Sequence, residues 1–153
     1  MNYSNRVRRC FLAACLSFVG LPGVSSASDP QARLTARAVI ERIQQHVGVA
    51  WQKETVDTFK AGDPDAVVTG IVTTMFPTYR VLQAAAASGK NLVICHEPVF
   101  YDHFDQAADL VKDGDRVLAD KKAFIEKNGL IVWRFHDHWH GCLRQRSHFC
   151  QNH

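Results

Sequence analysis

Gly89-Lys90-Asn91-Leu92-Val93-Ile94-Cys95-His96-Glu97-Pro98 decides the fold class. Asn91 to Cys95 is a short apolar run with β-branched residues, the pattern of a buried strand. Pro98 has no N–H to donate to a sheet ladder, so the strand must stop right after His96-Glu97. Gly89 closes the segment before it, Thr78 to Ser88, whose alanine-rich composition predicts a helix with a capped start over Thr74 to Pro77. Before that helix, Ala66 to Thr73 reads as another buried strand.

The alternation continues in both directions. Ala36, Val39, Ile40, Ile43 and Val47 recur at intervals of three and four, which predicts an amphipathic helix over Leu34–Val47 that Gly48 stops. Trp51 to Phe59 is mixed and polar, and Lys60 to Asp65 reads as a turn cluster. Asp102 to Asp115 is an acidic connection, Arg116 to Asn128 has the spacing of a surface helix capped by Gly129, and Leu130 to Phe135 is a third strand. Strands that alternate with helices imply a parallel sheet with crossover helices, so the class is α/β, with a three-layer core on a short, mostly parallel sheet. The expected division is 1–27 signal peptide, 28–65 N-terminal helix and linker, 66–140 α/β metal-binding domain and 141–153 irregular tail. The tail carries only Cys142, Leu143, Phe149 and Cys150 as apolar residues, without period, and reads as disordered.

Residues 1–27 have the order of an export signal: Arg6, Arg8 and Arg9 without an acid, an apolar run from Cys10 to Val24, then Ser25-Ser26-Ala27. Arg8-Arg9-Cys10-Phe11-Leu12 resembles a twin-arginine signal, and a general secretory signal reads the same residues as well. The expected location is therefore the periplasm or the exterior. Removing this segment takes away three arginines and leaves fifteen basic and fifteen acidic side chains. A balanced chain has no basic field for nucleic acid or an anionic membrane, and no stable membrane anchor is expected. Cys95, Cys142 and Cys150 remain, an odd number that describes no disulfide framework, with Cys142 and Cys150 as the one candidate pair.

Seven of the eight histidines lie at or after His96, and the densest group is Phe135-His136-Asp137-His138-Trp139-His140. Continued as a strand, this group sends His136, His138 and His140 to one face, with neighbours roughly 6.5 Å apart. Three imidazoles so placed suit a metal; without one they are three costly polar groups at the end of an apolar strand. His96-Glu97 stands at the carboxyl end of its strand, where α/β sheets hold ligands. Imidazole with carboxylate suits zinc, iron, manganese or nickel, in an open site rather than a closed structural zinc site. Such an ion acidifies bound water, and Glu97 or Asp137 is placed to take the proton as catalytic base. Asp102, His103 and Asp105 either add ligands or form a solvated loop, and Cys95 reads as core. No phosphate-binding glycine loop, nucleophile elbow or redox cysteine motif is present.

The run Thr69 to Thr74, the following helix, and Gly89 to Phe100 resemble the Nif-three-like dinuclear metal-centre family, in which a strand ends in His-His-Pro followed by an apolar pair. Asn128 to His140 resembles that family's later strand and ligand segment. The likeness spans roughly residues 35–140. It implies an α/β core, a hexameric ring and two adjacent metal ions per subunit; some members are labelled type-two GTP cyclohydrolases. By position it makes His96 a ligand, with Glu97 in place of the second histidine, and His136 and His140 ligands, His140 standing where the family has aspartate. His138 is a further candidate. Family members continue beyond this point with another His and Glu pair, so the resemblance also implies a C-terminally truncated or frameshifted chain. The expected function is a metal-dependent hydrolase acting on a small substrate such as a nucleotide or heterocycle. The alternative is a non-catalytic periplasmic metal-binding or assembly protein.

Overall fold

The computed structural model describes residues 33–151, so the expected signal segment lies outside the described residues. The elements are α1 (Ala36–His46), β1 (Phe59–Ala61), β2 (Ile71–Thr74), α2 (Tyr79–Ala87), β3 (Leu92–Cys95), α3 (Ala108–Lys112), α4 (Arg116–Lys127), β4 (Ile131–Arg134) and α5 (Asp137–Gln151). Four strands form one sheet in the order β1-β4-β3-β2. β2, β3 and β4 are parallel, in the register Ile71↔Leu92↔Ile131 to Thr74↔Cys95↔Arg134, and β1 runs antiparallel to β4. The α/β class and the mostly parallel sheet expected from the strand–helix alternation are present.

Side-chain alternation along β3 and β4 divides the core between the two faces of the sheet. Val93, Cys95 and Val132 pack with Leu82 and Ala85 of α2 and Ile125 of α4. Leu92 and Ile131 pack with Ala36 of α1, and Val39, Phe59 and Ile94 join them. Local chemistry sets the helix starts: Thr35, Thr78 and Asp115 each accept a hydrogen bond from the backbone N–H three residues on. The cap of α2 is thus Thr78, four residues later than the sequence suggests, because Pro77 fits just before the helix and Thr74 already belongs to β2. Among the described residues no helix is long and apolar enough to cross a membrane.

Three further expectations are corrected. The segment read as polar and turn-like contains β1, which pairs Phe59 with Trp133 and Ala61 with Val132. Gly62 ends it with φ +83°, and a Cβ there would stand 2.3 Å from the Leu130 carbonyl oxygen, so only glycine lets the chain pass so close to β4. The apolar run from Ala66 enters the sheet only at Ile71, since Val67 makes an isolated bridge to Thr35 that ties the start of α1 to this segment. The irregular tail is instead helical as far as Gln151. Within that helix Cys142 and Cys150 are separated by two turns, roughly 12 Å of rise, which no disulfide spans; Cys142 is a free thiol.

The largest departure is at His136–His140, where α5 begins at Asp137 and β4 does not continue. The cause is Asp57, whose side chain is fully buried. Its Oδ1 accepts from the backbone N–H of His136 at 2.5 Å and of Asp137 at 3.0 Å, and its Oδ2 accepts from His138 N–H at 2.9 Å. A carboxylate across the first N–H groups of a helix satisfies donors that have no partner within the helix and complements the dipole. Replacing Asp57 with Ala strands these donors in the interior. The expected loss is about 3–5 kcal/mol of unfolding free energy, the range for removing one partner of a buried pair. Urea denaturation measures it, and a loss below about 1 kcal/mol would remove Asp57 from this role.

Candidate metal centre

Two strand ends bring the histidines together. His96 N–H donates to the Thr74 carbonyl at 3.1 Å and Phe135 N–H donates to the Cys95 carbonyl at 2.8 Å. The ladder thus holds the residues after β3 and β4 side by side, at the carboxyl edge of the parallel strands. The α5 helix then starts at once, with His140 N–H bonded to the His136 carbonyl at 3.1 Å. Residues four apart share a helix face, whereas a residue two positions on points about 200° away. His136 and His140 therefore face His96, and His138 turns inward.

The ring centroids of His96, His136 and His140 lie 4.6, 4.7 and 4.9 Å apart pairwise. One ligand atom from each falls within 4.8 Å of the others. His103, from the loop after β3, comes within 5.1 Å of the His136 ring, and His103, His136 and Asp137 form a second group of the same compactness. His138 joins neither: its ring is 1% exposed, its Nδ1 bonds Asp57 Oδ2 at 2.7 Å and its Nε2 accepts from Gln52 N–H at 2.9 Å. It also stacks on Trp51 with centroids 3.6 Å apart. Both ring nitrogens are used in holding the fold, so the strand reading that put His138 among the ligands fails with the strand itself.

Carboxylates buttress the rings. Glu97 Oε1 lies 3.2 Å from His96 Nδ1, and Asp137 Oδ1 lies 3.0 Å from His136 Nδ1. A carboxylate at Nδ1 fixes the proton there and leaves Nε2 with a lone pair, the arrangement that orients imidazoles toward metals. The other oxygen of Asp137 accepts from Thr55 Oγ1 at 2.8 Å and Val56 N–H at 3.0 Å. Burial alone would raise this carboxyl, but the hydrogen bonds from Val56, His136 and Thr55 outweigh it and bring it to about 2. Slight desolvation, then the neighbouring His136, His96 and Arg144, hold the exposed His140 imidazole below its ordinary value, the direction that favours metal ligation.

Arg134, fully buried, fixes the remaining backbone. Its Nε donates to the His96 carbonyl at 3.0 Å, its Nη1 donates to the His103 carbonyl, and its Nη2 lies 3.4 Å from His103 Nδ1. Cys95, also buried, is not a ligand: burial and then the charge of Asp105 push its thiol up to about 12. Three convergent imidazoles, two of them backed by carboxylates, match the donor chemistry of zinc and of iron, manganese or nickel, so the residues present fit a divalent ion. The sequence reasoning missed Trp51, Asp57 and Arg134. A charged residue ending the apolar run Leu130 to Trp133 was a visible signal for Arg134; Asp57 has none, because it caps a helix 80 residues away.

No family model and no curated protein sequence matches the chain. Solved structures do match it. A Staphylococcus aureus protein, SA1388, is 19% identical over 69% of this chain and 29% of its own, with a TM-score of 0.54. A Bacillus cereus protein related to NIF3 is 16% identical over 69% of this chain and 28% of its own, with a TM-score of 0.56. The fold is NIF3-like. Reduced HcgD from Methanocaldococcus jannaschii has it too, at 18% identity over 69% of this chain and 40% of its own and a TM-score of 0.53. The chain spans between about a quarter and two fifths of the length of these NIF3-like structures.

Replacing Asp137 with Asn separates its two roles. A carboxyl at about 2 in the folded chain and about 3.9 unfolded adds stability that is complete above about pH 4 and is lost as the pH falls toward 2. Urea denaturation across that window is expected to show a shallower pH dependence in Asp137→Asn than in the wild type. The variant is also expected to bind zinc about 10–100-fold more weakly, as when an outer carboxylate is lost; unchanged affinity would detach Asp137 from the centre.

Proposed function

We propose that this chain is a member of the Nif-three-like family whose His96, His136 and His140 bind a divalent metal used to hydrolyse a small substrate. The observation that carries the proposal is the convergence of three imidazoles from two strand ends and one helix turn, with two of them backed by carboxylates. His103 and Asp137 would hold a second ion beside the first. A bound divalent ion supplies Lewis acidity and lowers the pKa of coordinated water.

The protein's own groups divide the remaining work. Asp137, held at about 2 by its hydrogen bonds, is a poor proton acceptor at neutral pH and serves to orient His136. Glu97 is the proton acceptor: its carboxylate is 30% exposed at the edge of the centre, within reach of solvent and substrate, while one oxygen steadies His96. Arg134 keeps the His96 and His103 backbones in register without entering the site. The basic-then-apolar order of residues 1–27 supports export to the periplasm or the exterior, and assembly as a homo-oligomeric ring follows from the family resemblance.

Metal content by plasma mass spectrometry on the purified chain, beside a His96→Ala/His140→Ala variant, tests the centre. Near-stoichiometric zinc, iron, manganese or nickel is expected in the wild type and is expected to be lost in the variant; no metal in either would overturn the proposal. Hydrolysis of small ester, amide and heterocyclic substrates is expected to vanish with chelation and with Glu97→Gln. Metal retained without turnover would leave the non-catalytic metal-binding protein as the function.

A further inference from the structure

The carboxyl ends of β2 and β3, with Phe135 and Trp139, enclose a cleft of about 360 Å³ that opens beside His96. A larger cavity of about 690 Å³, near Lys60 and Asp105, is lined by none of the clustered histidines. The cleft beside His96 is lined by Thr73, Thr74, Met75, Phe135 and Trp139 together with residues of β3, and by no lysine, arginine, aspartate or glutamate. Phe135 and Trp139 meet edge to face, with centroids 6.1 Å apart and planes at 75°. Two rings so arranged form a corner in which a third flat ring stacks on one and meets the edge of the other. Trp139 is half exposed, so one side of its indole is open to such a guest.

No cationic side chain that would hold phosphate lines this cleft. The helix that begins at the site is α5, and its leading N–H groups, where an anion would sit, already bond the Asp57 carboxylate. Arg134 is buried and committed to two backbone carbonyls. Arg144, one turn past His140, does not line the cleft. The Thr74 hydroxyl donates to the Phe76 carbonyl, which leaves the exposed Thr73 as the polar partner at the rim.

We propose that this cleft is the substrate subsite of the histidine centre and takes a flat, uncharged aromatic or heteroaromatic ring, not a phosphorylated nucleotide. The inference rests on the metal-centre reading for its reaction, whereas the ring site itself is built from residues that hold no metal, apart from His96 at its edge.

Calorimetric titration of the full chain with 1-naphthol and with 1-naphthyl phosphate tests it. With chelator present to keep the histidine centre empty, saturable binding of naphthol is expected, with the phosphate ester at least about tenfold weaker, since it brings a dianion into a cleft lined by no lysine or arginine. Trp139→Ala is expected to weaken naphthol about tenfold and Trp139→Phe to restore most of the loss, because the stacking face returns; metal content is expected to stay unchanged in both. Equal or tighter binding of the phosphate ester, no saturable naphthol binding, or full binding to Trp139→Ala would overturn the inference. A His136→Ala/His140→Ala variant separates the two readings. Naphthol binding retained there, or in a wild type found without metal, upholds the ring site by itself; metal present without naphthol binding overturns the ring site alone.

Discussion

The carboxylate of Asp57 is the constraint on which the rest of the site depends. A charge with no exposure to water is costly unless every lone pair is used, and here two oxygens serve three backbone N–H groups and one imidazole. These bonds stop the chain from continuing β4 and turn it into α5 within three residues of Arg134. The turn fixes the phase of the helix, and the phase decides which histidines face His96. His138 is the price of this arrangement: it is withdrawn from the site to complete the solvation of Asp57, and its other nitrogen reaches Gln52 N–H while Trp51 covers its face. Trp51 in turn stacks toward Trp133 of β4 at 6.3 Å. A segment without regular structure between α1 and β1 thus becomes the lock on the last strand–helix junction.

A second buried charge plays the corresponding part on the other side of the strand end. Arg134 closes β4 and gives its hydrogen bonds to the carbonyls of His96, the first residue of the loop after β3, and of His103 further along it. That loop has its own anchor in Asp105, which adopts φ +58° and accepts from the N–H groups of Val99 and Phe100, with Lys60 of β1 3.7 Å from its other oxygen. The ligand candidates therefore sit on backbone held by buried ionic groups and not on free loops. Metal sites need this rigidity, because an imidazole that is free to rotate loses much of its affinity to the entropy of ordering.

How far the sequence reveals this follows from how local each signal is. The three parallel strands and α1, α2 and α4 are legible because hydrophobic period, caps and glycine stops lie within the elements themselves. His96, His136 and His140 are legible as chemistry-bearing residues for a related reason, since they cluster at strand ends. The segment from His136 to His140 is not legible as helix: alternate histidines satisfy a period of two, and His136 with His140 satisfies a period near four equally well. The choice is made by Asp57, and nothing near His136 encodes it. β1 is hidden for a similar reason, as three residues ending in Lys60-Ala61 before a glycine resemble a turn until β4 is beside them.

The two carboxylates of the centre are adjacent in chain to the histidines they touch, yet their surroundings give them different work. Asp137 accepts from Thr55, Val56 and His136 together, which stabilises its anion and lowers its proton affinity. Glu97 meets His96 through one oxygen and stays partly open to water. When two like groups flank one site, the environment that stabilises the anion marks the group that positions, and the freer one is left to move protons. Glu97 stands where the family resemblance leads one to expect a second histidine. In the proposed reaction it would add a proton acceptor beside three imidazoles whose lone pairs a bound metal would take up.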